Sequence, residues 1–219
     1  MRSKKFWNNY AKTYKSVENL APHKKMLEDV AALVPPESSR ILDAGCGSGA
    51  LLKLLGNNHK DAELFGVDFS YEMLDRANKN VPKVITMQAN LNNKLPYEDG
   101  YFDCVVSTNA LYTTSSPCNF VKELQRVTSS SGTIIISSPK KRAAGLKILY
   151  KHFTSTPTLT ATWDMLKFST CLLPNFIIQK MGTKGDYHFL SEEDVMSLAE
   201  NVVIQKDTFA GQNWLFTIC

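Results

Sequence analysis

The chain of 219 residues contains no apolar run long enough to span a bilayer, which takes about 20 residues as a helix. Its most apolar runs, such as Thr133–Ser137, have only the length of a strand. The basic residues near Met1 precede no apolar segment, so we expect no signal peptide and no transmembrane segment.

The five cysteines are scattered and never spaced as Cys-x-x-Cys. This pattern argues against a disulfide framework and a zinc site, and we expect no metal and a cytoplasmic location.

A strong excess of one charge is also missing. The formal net charge is only +4, whereas nucleic-acid-binding domains usually carry pronounced basic clusters. We therefore expect no nucleic-acid partner. One local cluster contains no acid, and its members are Lys140, Lys141, Arg142, Lys147 and Lys151. The default interpretation is a solvated helix face, with an acidic substrate or a membrane surface as the alternatives.

Short apolar runs alternate with helical patterns over the central part of the chain, which is typical of βαβ units around a parallel sheet. The predicted strands are Arg40–Ala44, Leu64–Val67, Val84–Gln88, Phe102–Ser107 and Thr133–Ser137. Ser70 and Ser116 each precede a helical pattern and are predicted to cap those helices. Together these features predict an α/β fold.

We interpret residues 1–219 as a single domain in which residues 1–36 form an N-terminal helical cap. Residues 202–210 and 213–219 are predicted to form a closing hairpin around a Gly-Gln turn. Residues 140–190 form an insertion between the fifth and sixth strands that is rich in Leu, Phe, Tyr and Trp. This composition favours a helical lid over the site and an apolar substrate, with a homodimer contact through the insertion as the alternative.

A strand, a glycine-rich turn and a helix follow one another around Gly45-Cys46-Gly47-Ser48-Gly49. The free backbone N–H groups of such a helix start lie close to a ligand. Asp68 ends the next strand, where a carboxylate accepts hydrogen bonds from ribose hydroxyls. The loop also satisfies the dinucleotide fingerprint, so an oxidoreductase using NAD or FAD is an alternative. Asp43 argues against it, because an acid repels a pyrophosphate and attracts an ammonium group.

Five motifs stand in an order and spacing that resemble one enzyme family. They are Asp43–Gly49, Gly66–Ser70, Gln88–Leu91, Leu95–Val106 and Glu123–Gly132. The resemblance is to class I S-adenosylmethionine-dependent methyltransferases, and within them to the small-molecule enzymes of ubiquinone and menaquinone biosynthesis. It implies a doubly wound, Rossmann-like, mostly parallel sheet of seven strands whose C-terminal strand is antiparallel. It also implies S-adenosylmethionine as the cofactor.

The resemblance further implies which residues bind the cofactor. They are Tyr14, Asp43, Gly45, Cys46, Gly47, Asp68, Phe69, Met73, Asn90, Leu91 and Asn109. The glycine loop with the acid before it and the amide at position 109 would hold the methionine part. Residues 6–14 resemble the aromatic segment that closes over the cofactor, with Tyr14 placed to bind its carboxylate.

The ribose and adenine contacts follow from the same resemblance. Asp68 would bind the ribose, while Phe69 and Met73 would flank the adenine. Asn90 and Leu91 would lie at the adenine edge, where the family usually has Asp before a small or apolar residue. The amide of Asn90 still accepts a hydrogen bond from the adenine amino group, so we expect cofactor binding to survive this departure.

Methyl transfer needs a general base only when the nucleophile must lose a proton. Tyr112 and His188 are the predicted catalytic residues, and Tyr10, His23 and Asp186 are further candidates for a base. For His23 the alternative is a solvated residue in the first turn of a helix.

The sequence thus predicts an enzyme that transfers a methyl group to a small, apolar acceptor by in-line displacement. A nucleotide-dependent oxidoreductase and a non-catalytic S-adenosylmethionine-binding scaffold are the two alternatives.

Overall fold

The computed structural model describes residues 14–141, 145–169, 180 and 187–219, and within these ranges the chain forms an α/β fold. The strands are β1 Arg40–Ala44, β2 Glu63–Asp68, β3 Ile85–Gln88, β4 Phe102–Thr108, β5 Thr128–Pro139, β6 Val202–Thr208 and β7 Asn213–Ile218. The helices are α1 Ala21–Ala31, α2 Ala50–Asn58, α3 Tyr71–Asn80, α4 Pro117–Val127, α5 Gly145–Ser155, α6 Thr158–Phe168 and α7 Glu192–Met196. Residues 14–18 are also helical.

The strands form a seven-stranded sheet in the order β3-β2-β1-β4-β5-β7-β6. Strands β1 to β5 pair in parallel, and β7 runs antiparallel to both β5 and β6. The predicted doubly wound sheet with an antiparallel last strand is confirmed. The strand order reverses between β1 and β4, and ligands of such sheets bind at the carboxyl ends of the strands beside this reversal.

Both faces of the sheet are buried, because helices pack on each side. On β1, Leu42 belongs to an apolar cluster with Phe120 of α4, whereas its neighbour Ile41 belongs to a second cluster with Val30 of α1 and Leu52 of α2. Side chains that alternate along a strand point to opposite faces. A strand buried on both faces therefore carries apolar side chains on both, as Ile41, Leu42 and Ala44 of β1 show, and Asp43 is the buried exception.

Helix caps fix the ends of two helices that border the site. Ser70 caps α3 by accepting a hydrogen bond from the Met73 N–H at 3.3 Å, and Ser116 caps α4 in the same way. Both predicted caps are confirmed. A side-chain oxygen at this position satisfies a backbone donor that the helix itself leaves unpaired.

Two predicted boundaries were wrong. Strand β5 begins at Thr128 rather than Thr133, because its first residue already pairs with Phe102 of β4. The closing hairpin does not turn at Gly211-Gln212. Strand β6 ends at Thr208, and the chain turns through a 3₁₀ segment, Phe209–Gly211, whose residues all have positive φ.

Helices α5 and α6 follow β5 and contact the start of α1. The imidazole Nδ1 of His152 on α5 accepts a hydrogen bond from the Ala21 N–H at 3.2 Å. The carboxylate of Asp164 on α6 accepts one from the Asn19 side chain at 3.4 Å.

The remainder of the predicted insertion, at 142–144, 170–179 and 181–186, lies outside the described residues, as do residues 1–13 of the predicted cap. No helix of the described part is long and apolar enough to cross a membrane.

Candidate cofactor and acceptor site

A cavity of about 600 Å³ opens at the carboxyl ends of the strands. The ends of β1, β2, β4 and β5 contribute to its wall, and α5 and α6 contribute apolar side chains. It is lined by every predicted cofactor residue, namely Tyr14, Asp43, Gly45, Cys46, Gly47, Asp68, Phe69, Met73, Asn90, Leu91 and Asn109, and by Tyr112. Residues as far apart in sequence as Tyr14 and Tyr112 thus meet at one place, as the topology predicts.

The glycine loop between β1 and α2 is fixed by backbone hydrogen bonds. The N–H groups of Gly45 and Cys46 both donate to the Val67 carbonyl, at 2.8 and 3.0 Å. Gly45 has a φ of +90°, and a Cβ built there would lie 2.5 Å from the Cβ of Ala110. Only glycine satisfies both the backbone conformation and this close approach. The thiol of Cys46 is buried, which raises its pKa well above the usual range, so it remains protonated.

Gly45→Ala is expected to destabilise the protein by roughly 2–5 kcal/mol, from backbone strain and from overpacking against Ala110. Gly47→Ala is a matched control, because Gly47 also has positive φ but the nearest atom to its added Cβ is 4.0 Å away. The control is expected to lose only about 1–2 kcal/mol. Urea denaturation measures both losses, and equal losses would show that the contact with Ala110 is unimportant.

Asp68 ends β2 and is tied to the glycine loop. Its Oδ2 accepts a hydrogen bond from the Gly47 N–H at 3.0 Å, and its Oδ1 accepts one from the Ser70 N–H at 2.8 Å. Burial raises the pKa of Asp68, and these backbone hydrogen bonds partly offset the rise. Each carboxylate oxygen keeps a further lone pair with which it can accept a hydrogen bond from a ligand hydroxyl.

Asp43 is a buried carboxyl group in need of a partner. It is only 1% exposed, and its Oδ1 has no hydrogen-bond partner among the described residues. Burial and the nearby charge of Asp68 raise its pKa to about 8. A buried carboxylate is strongly unfavourable unless a cation or hydrogen-bond donors offset it. The chemistry of this position fits the ammonium group of an amino acid, and therefore the methionine part of S-adenosylmethionine.

Tyr14 and Asn109 lie at the same end of the cavity. The Tyr14 hydroxyl and the Asn109 side chain are joined by a hydrogen bond, and burial together with nearby carboxylates raises the pKa of Tyr14. The hydroxyl therefore stays protonated and able to donate. Asn109 itself has a left-handed backbone with φ of 53°, and its Oδ1 accepts a hydrogen bond from Asn213 at 2.8 Å.

Asn213 and Glu18 are among the lining residues that the sequence did not predict. Asn213, at the start of β7, is fully buried and donates to Asn109 and to the Ser137 hydroxyl at 3.0 Å. Glu18 accepts a hydrogen bond from the Ser48 hydroxyl and so connects the N-terminal helix to the glycine loop. Both lie far in sequence from the residues that they contact, and no local pattern marks them.

At the part of the cavity predicted to hold the adenine, the side chain of Asn90 is already engaged in hydrogen bonds. The side-chain oxygen of Asn90 already accepts two hydrogen bonds from Asn92, at 3.1 and 3.0 Å. These contacts occupy both lone pairs of an amide oxygen. The predicted hydrogen bond from the adenine amino group to Asn90 thus requires Asn92 to give way.

The structure separates the predicted catalytic residues. Tyr112 lines the main cavity, where it stacks on Phe189 at 5.4 Å and meets Tyr187 edge to face at 5.5 Å. Burial raises the pKa of Tyr112, so it is a hydrogen-bond donor rather than a base at neutral pH. His188 lines a second cavity with Cys118 and Lys141 and is not part of the main cavity wall. Tyr10 and Asp186 lie outside the described residues.

His23 is not a solvated residue, and that expectation was wrong. It is 2% exposed, lines the main cavity and has an Nδ1 with no partner among the described residues. Burial and the neighbouring Lys24 lower its pKa to about 4. The imidazole is therefore uncharged at neutral pH. Periodicity alone could not reveal this, because the burial depends on the contacts of His23 with Tyr14 and Phe209.

The described members of the basic cluster, Lys140, Lys141, Lys147 and Lys151, do not line the main cavity, and Arg142 lies outside the described residues. Lys140 pairs with Asp207 and lies 3.8 Å from the centre of the Trp214 ring. Lys141 pairs with Asp194 at 2.7 Å. The charged residues among the described lining are Glu18, Asp43 and Asp68, with no Lys or Arg. Nor does the described part of the chain hold a group of three metal-ligating side chains.

Comparison with known proteins places the chain in a family. Residues 42–136 match the methyltransferase domain family. A phosphatidylethanolamine N-methyltransferase of Cereibacter sphaeroides is 30% identical over 149 residues, which cover 66% of this chain and 70% of that protein. A malonyl-[acyl-carrier protein] O-methyltransferase of Legionella pneumophila is 32% identical over 102 residues, which cover 45% of this chain and 36% of that protein.

The fold agrees with these sequence matches. A solved complex of the Haloferax volcanii Trm112 methyltransferase activator with a methyltransferase contains a chain that superposes with a TM-score of 0.68 at 14% identity. The match covers 97% of this chain and 96% of that one. The chain therefore belongs to the class I S-adenosylmethionine-dependent methyltransferases. It spans between 34% and 44% of the length of the first curated relatives that it matches.

Proposed function

We propose that this protein transfers the methyl group of S-adenosylmethionine to a small, uncharged or cationic molecule with an apolar body. One observation carries the proposal. The buried carboxyl group of Asp43, whose Oδ1 has no hydrogen-bond partner among the described residues, shares a cavity with a second carboxylate, Asp68, which accepts a hydrogen bond from the glycine loop. This pair matches the ammonium group and the ribose hydroxyls of the cofactor.

Different residues of the chain would bind different parts of the cofactor. Asp43 would pair with the ammonium group, and Tyr14 would donate to the carboxylate of the methionine part. Asp68 would accept hydrogen bonds from the ribose, and Phe69 and Met73 would contact the adenine. S-adenosylmethionine supplies a methyl group that is already activated on a sulfonium. The protein then contributes mainly orientation and the exclusion of water.

The acceptor side of the cavity is apolar and aromatic. Helices α5 and α6 contribute Ile148, Leu149, Met165 and Phe168 to the wall, opposite the strand ends. Such a surface suits an apolar body, since each buried Å² of apolar area contributes about 25 cal/mol.

The charges of the lining argue against an acidic acceptor. Three carboxyl groups and no Lys or Arg line the described wall, so an anionic acceptor would find no cationic side chain there to pair with. Of the basic cluster, Lys140 and Lys141 pair with acids and Lys147 and Lys151 are exposed, so these four residues do not support an acidic substrate. The Cereibacter relative carries the name phosphatidylethanolamine N-methyltransferase. This name supports an amine with apolar chains as one acceptor class.

Turnover with defined acceptors tests the proposal. The full-length protein is incubated with S-adenosylmethionine and with 4-propylphenol, octylamine, octanethiol or octanoic acid, and S-adenosylhomocysteine release is measured. We expect methyl transfer to one or more of the first three and none to the acid. A protein that binds the cofactor yet methylates none of them, nor any component of a metabolite extract, would support the scaffold alternative.

We further propose that the chain is a single cytoplasmic domain in which residues 140–190 close over the site and 1–36 cap it. The inner sides of α5 and α6 line the cavity. Their outer sides expose apolar residues such as Leu146 at 85% and Leu159 at 89%. Those outer residues support a homodimer contact as the competing role of the same helices.

Hydrogen exchange distinguishes the lid from the dimer contact. If α5 and α6 form a lid, adding S-adenosylhomocysteine is expected to slow their exchange more than that of the sheet strands, because closure orders the segment. Protection that grows with protein concentration and ignores the cofactor would instead establish the dimer contact. A dilution series with and without S-adenosylhomocysteine supplies both measurements.

A further inference from the structure

We propose that the imidazole of His23 accepts the proton of the acceptor's nucleophilic group, and thus that the acceptor carries an O–H, N–H or S–H at its reactive atom. This inference rests on the proposed function and extends it to the acceptor side of the site. His23 is not one of the cofactor contacts derived above. It is a polar group on an otherwise apolar and aromatic part of the cavity wall.

The first argument is burial without a partner. His23 is 2% exposed, and its Nδ1 has no hydrogen-bond partner among the described residues. A buried polar atom left unpaired is unfavourable, and such atoms in native structures call for an explanation such as a ligand. The cavity that His23 lines is the place from which a ligand can supply the missing hydrogen bond.

The second argument is the fixed position of the ring. Tyr14 and Phe209 meet the imidazole edge to face, with centroids 6.2 and 5.6 Å away. The backbone N–H of His23 donates to Leu20 at 2.9 Å within the first turn of α1. That turn is held in place from the other side by His152, which accepts from Ala21. A base held on a helix by packed rings needs little rearrangement to act.

The third argument is the charge state. The titratable groups that line the cavity with His23 are Tyr14, Glu18, Asp43, Cys46, Asp68 and Tyr112, and the elements packed beside it also carry Lys15, Lys24 and His152. Burial, followed by the charge of Lys24, holds the pKa of His23 near 4. The ring is therefore uncharged at neutral pH and can accept a hydrogen bond. Because its pKa is low, it takes the proton only as the nucleophile becomes acidic on bonding to the methyl carbon.

The proton balance is simple. As the nucleophile bonds to the methyl carbon and the sulfur–carbon bond breaks, the proton on the nucleophile passes to a ring nitrogen of His23. The imidazolium then releases that proton to water when the products leave. No oxidant, reductant or metal takes part.

Binding of a protic probe tests the hydrogen bond without any turnover. With S-adenosylhomocysteine present, the wild-type protein is expected to bind 4-propylphenol about fivefold to tenfold more tightly than its methyl ether, 4-propylanisole, which has no proton to donate. In protein labelled with ¹⁵N-histidine, a ring signal of His23 should move on binding of the phenol and not of the ether. His23→Phe should bind both compounds equally.

Chemical rescue tests the proton transfer. His23→Ala is expected to lose methyl transfer to the acceptors that the wild type uses, and added imidazole should restore part of the rate. The wild-type rate should be flat between about pH 6 and 8, whereas the rescued rate should rise with the fraction of imidazole that is in the free-base form. His59→Ala is the control, because His59 also has an unpartnered Nδ1 but lies at the end of α2, away from the cavity.

The outcomes separate the inference from the proposed function. A wild type that methylates a protic acceptor while His23→Ala and His23→Gln do so at the same rate would overturn the role of His23 alone. Equal binding of phenol and ether, with an unmoved His23 signal, would overturn it as well. A wild type that does not bind S-adenosylhomocysteine would overturn the proposed function itself.

Discussion

Asp43→Asn is expected to stabilise the free protein and to abolish most of its cofactor binding. Burial and the charge of Asp68 raise the pKa of Asp43 to about 8, so between about pH 4 and 8 the folded state holds one more proton than the unfolded state. Stability from this group therefore falls as pH rises through that window. At pH 8 the amide should gain at least about 1.4 kcal/mol, the value of one pKa unit.

Cofactor binding by the same variant should change in the opposite direction. Removing one member of a buried ion pair costs about 3–5 kcal/mol, which is more than a hundredfold in Kd. In the wild type, the ammonium group should deprotonate Asp43, so binding at pH 7 should release about one proton. Calorimetry in two buffers of different ionisation enthalpy measures this release, which Asp43→Asn should eliminate.

Asp29→Asn provides a matched control, because the pKa of Asp29 is shifted in the opposite direction from that of Asp43. Burial alone would raise the pKa of Asp29, but hydrogen bonds from Lys206, Lys25 and Thr208 lower it overall. This aspartate is nearly buried and does not line the cavity, so its amide variant should be less stable than the wild type at pH 7 and bind the cofactor normally. If Asp43→Asn behaved like Asp29→Asn, the assignment of Asp43 to an ammonium group would be wrong.

Asp68→Ala is expected to weaken cofactor binding by at least about tenfold. Hydrogen bonds to a charged group contribute about 1.5–3 kcal/mol each, and a tenfold change in Kd is about 1.4 kcal/mol. Asp68 also accepts from the Gly47 and Ser70 N–H groups, so the variant is expected to lose some stability in the loop. Calorimetry measures the affinity, and urea denaturation confirms that the variant is folded.

Two further variants are compared with Asp68→Ala. Asp75→Ala removes an aspartate from the outer side of α3, where it pairs only with Lys79, and should bind the cofactor like the wild type. Asn90→Asp restores the usual family residue at the adenine edge and should be tolerated. An Asp68→Ala protein with unchanged affinity would refute the ribose assignment.

The fold was largely predictable because its signals are local. Apolar runs such as Arg40–Ala44 and caps such as Ser70 depend on neighbours in sequence, and both appeared where expected. The predicted cofactor residues come from a family resemblance, which assigns them to fixed positions after strands. Their convergence on one cavity follows from the parallel sheet.

The parts that were missed depend on contacts between distant segments. The burial of His23 comes from Phe209, in a turn almost 190 residues later in the chain (209 against 23). The hydrogen bonds of Asn213 and the engaged oxygen of Asn90 likewise depend on side chains that only the folded structure brings together. No periodicity or motif encodes such contacts.

Thermal unfolding in the presence of ligands tests the central claim most directly. S-adenosylmethionine or S-adenosylhomocysteine at a hundredfold excess over its Kd should stabilise the protein by about 2.7 kcal/mol. For a chain of this size that is a rise in Tm of roughly 5–10 °C. NAD and FAD at the same concentration should leave Tm unchanged. A rise in Tm with NAD or FAD and none with either sulfur compound would contradict the account.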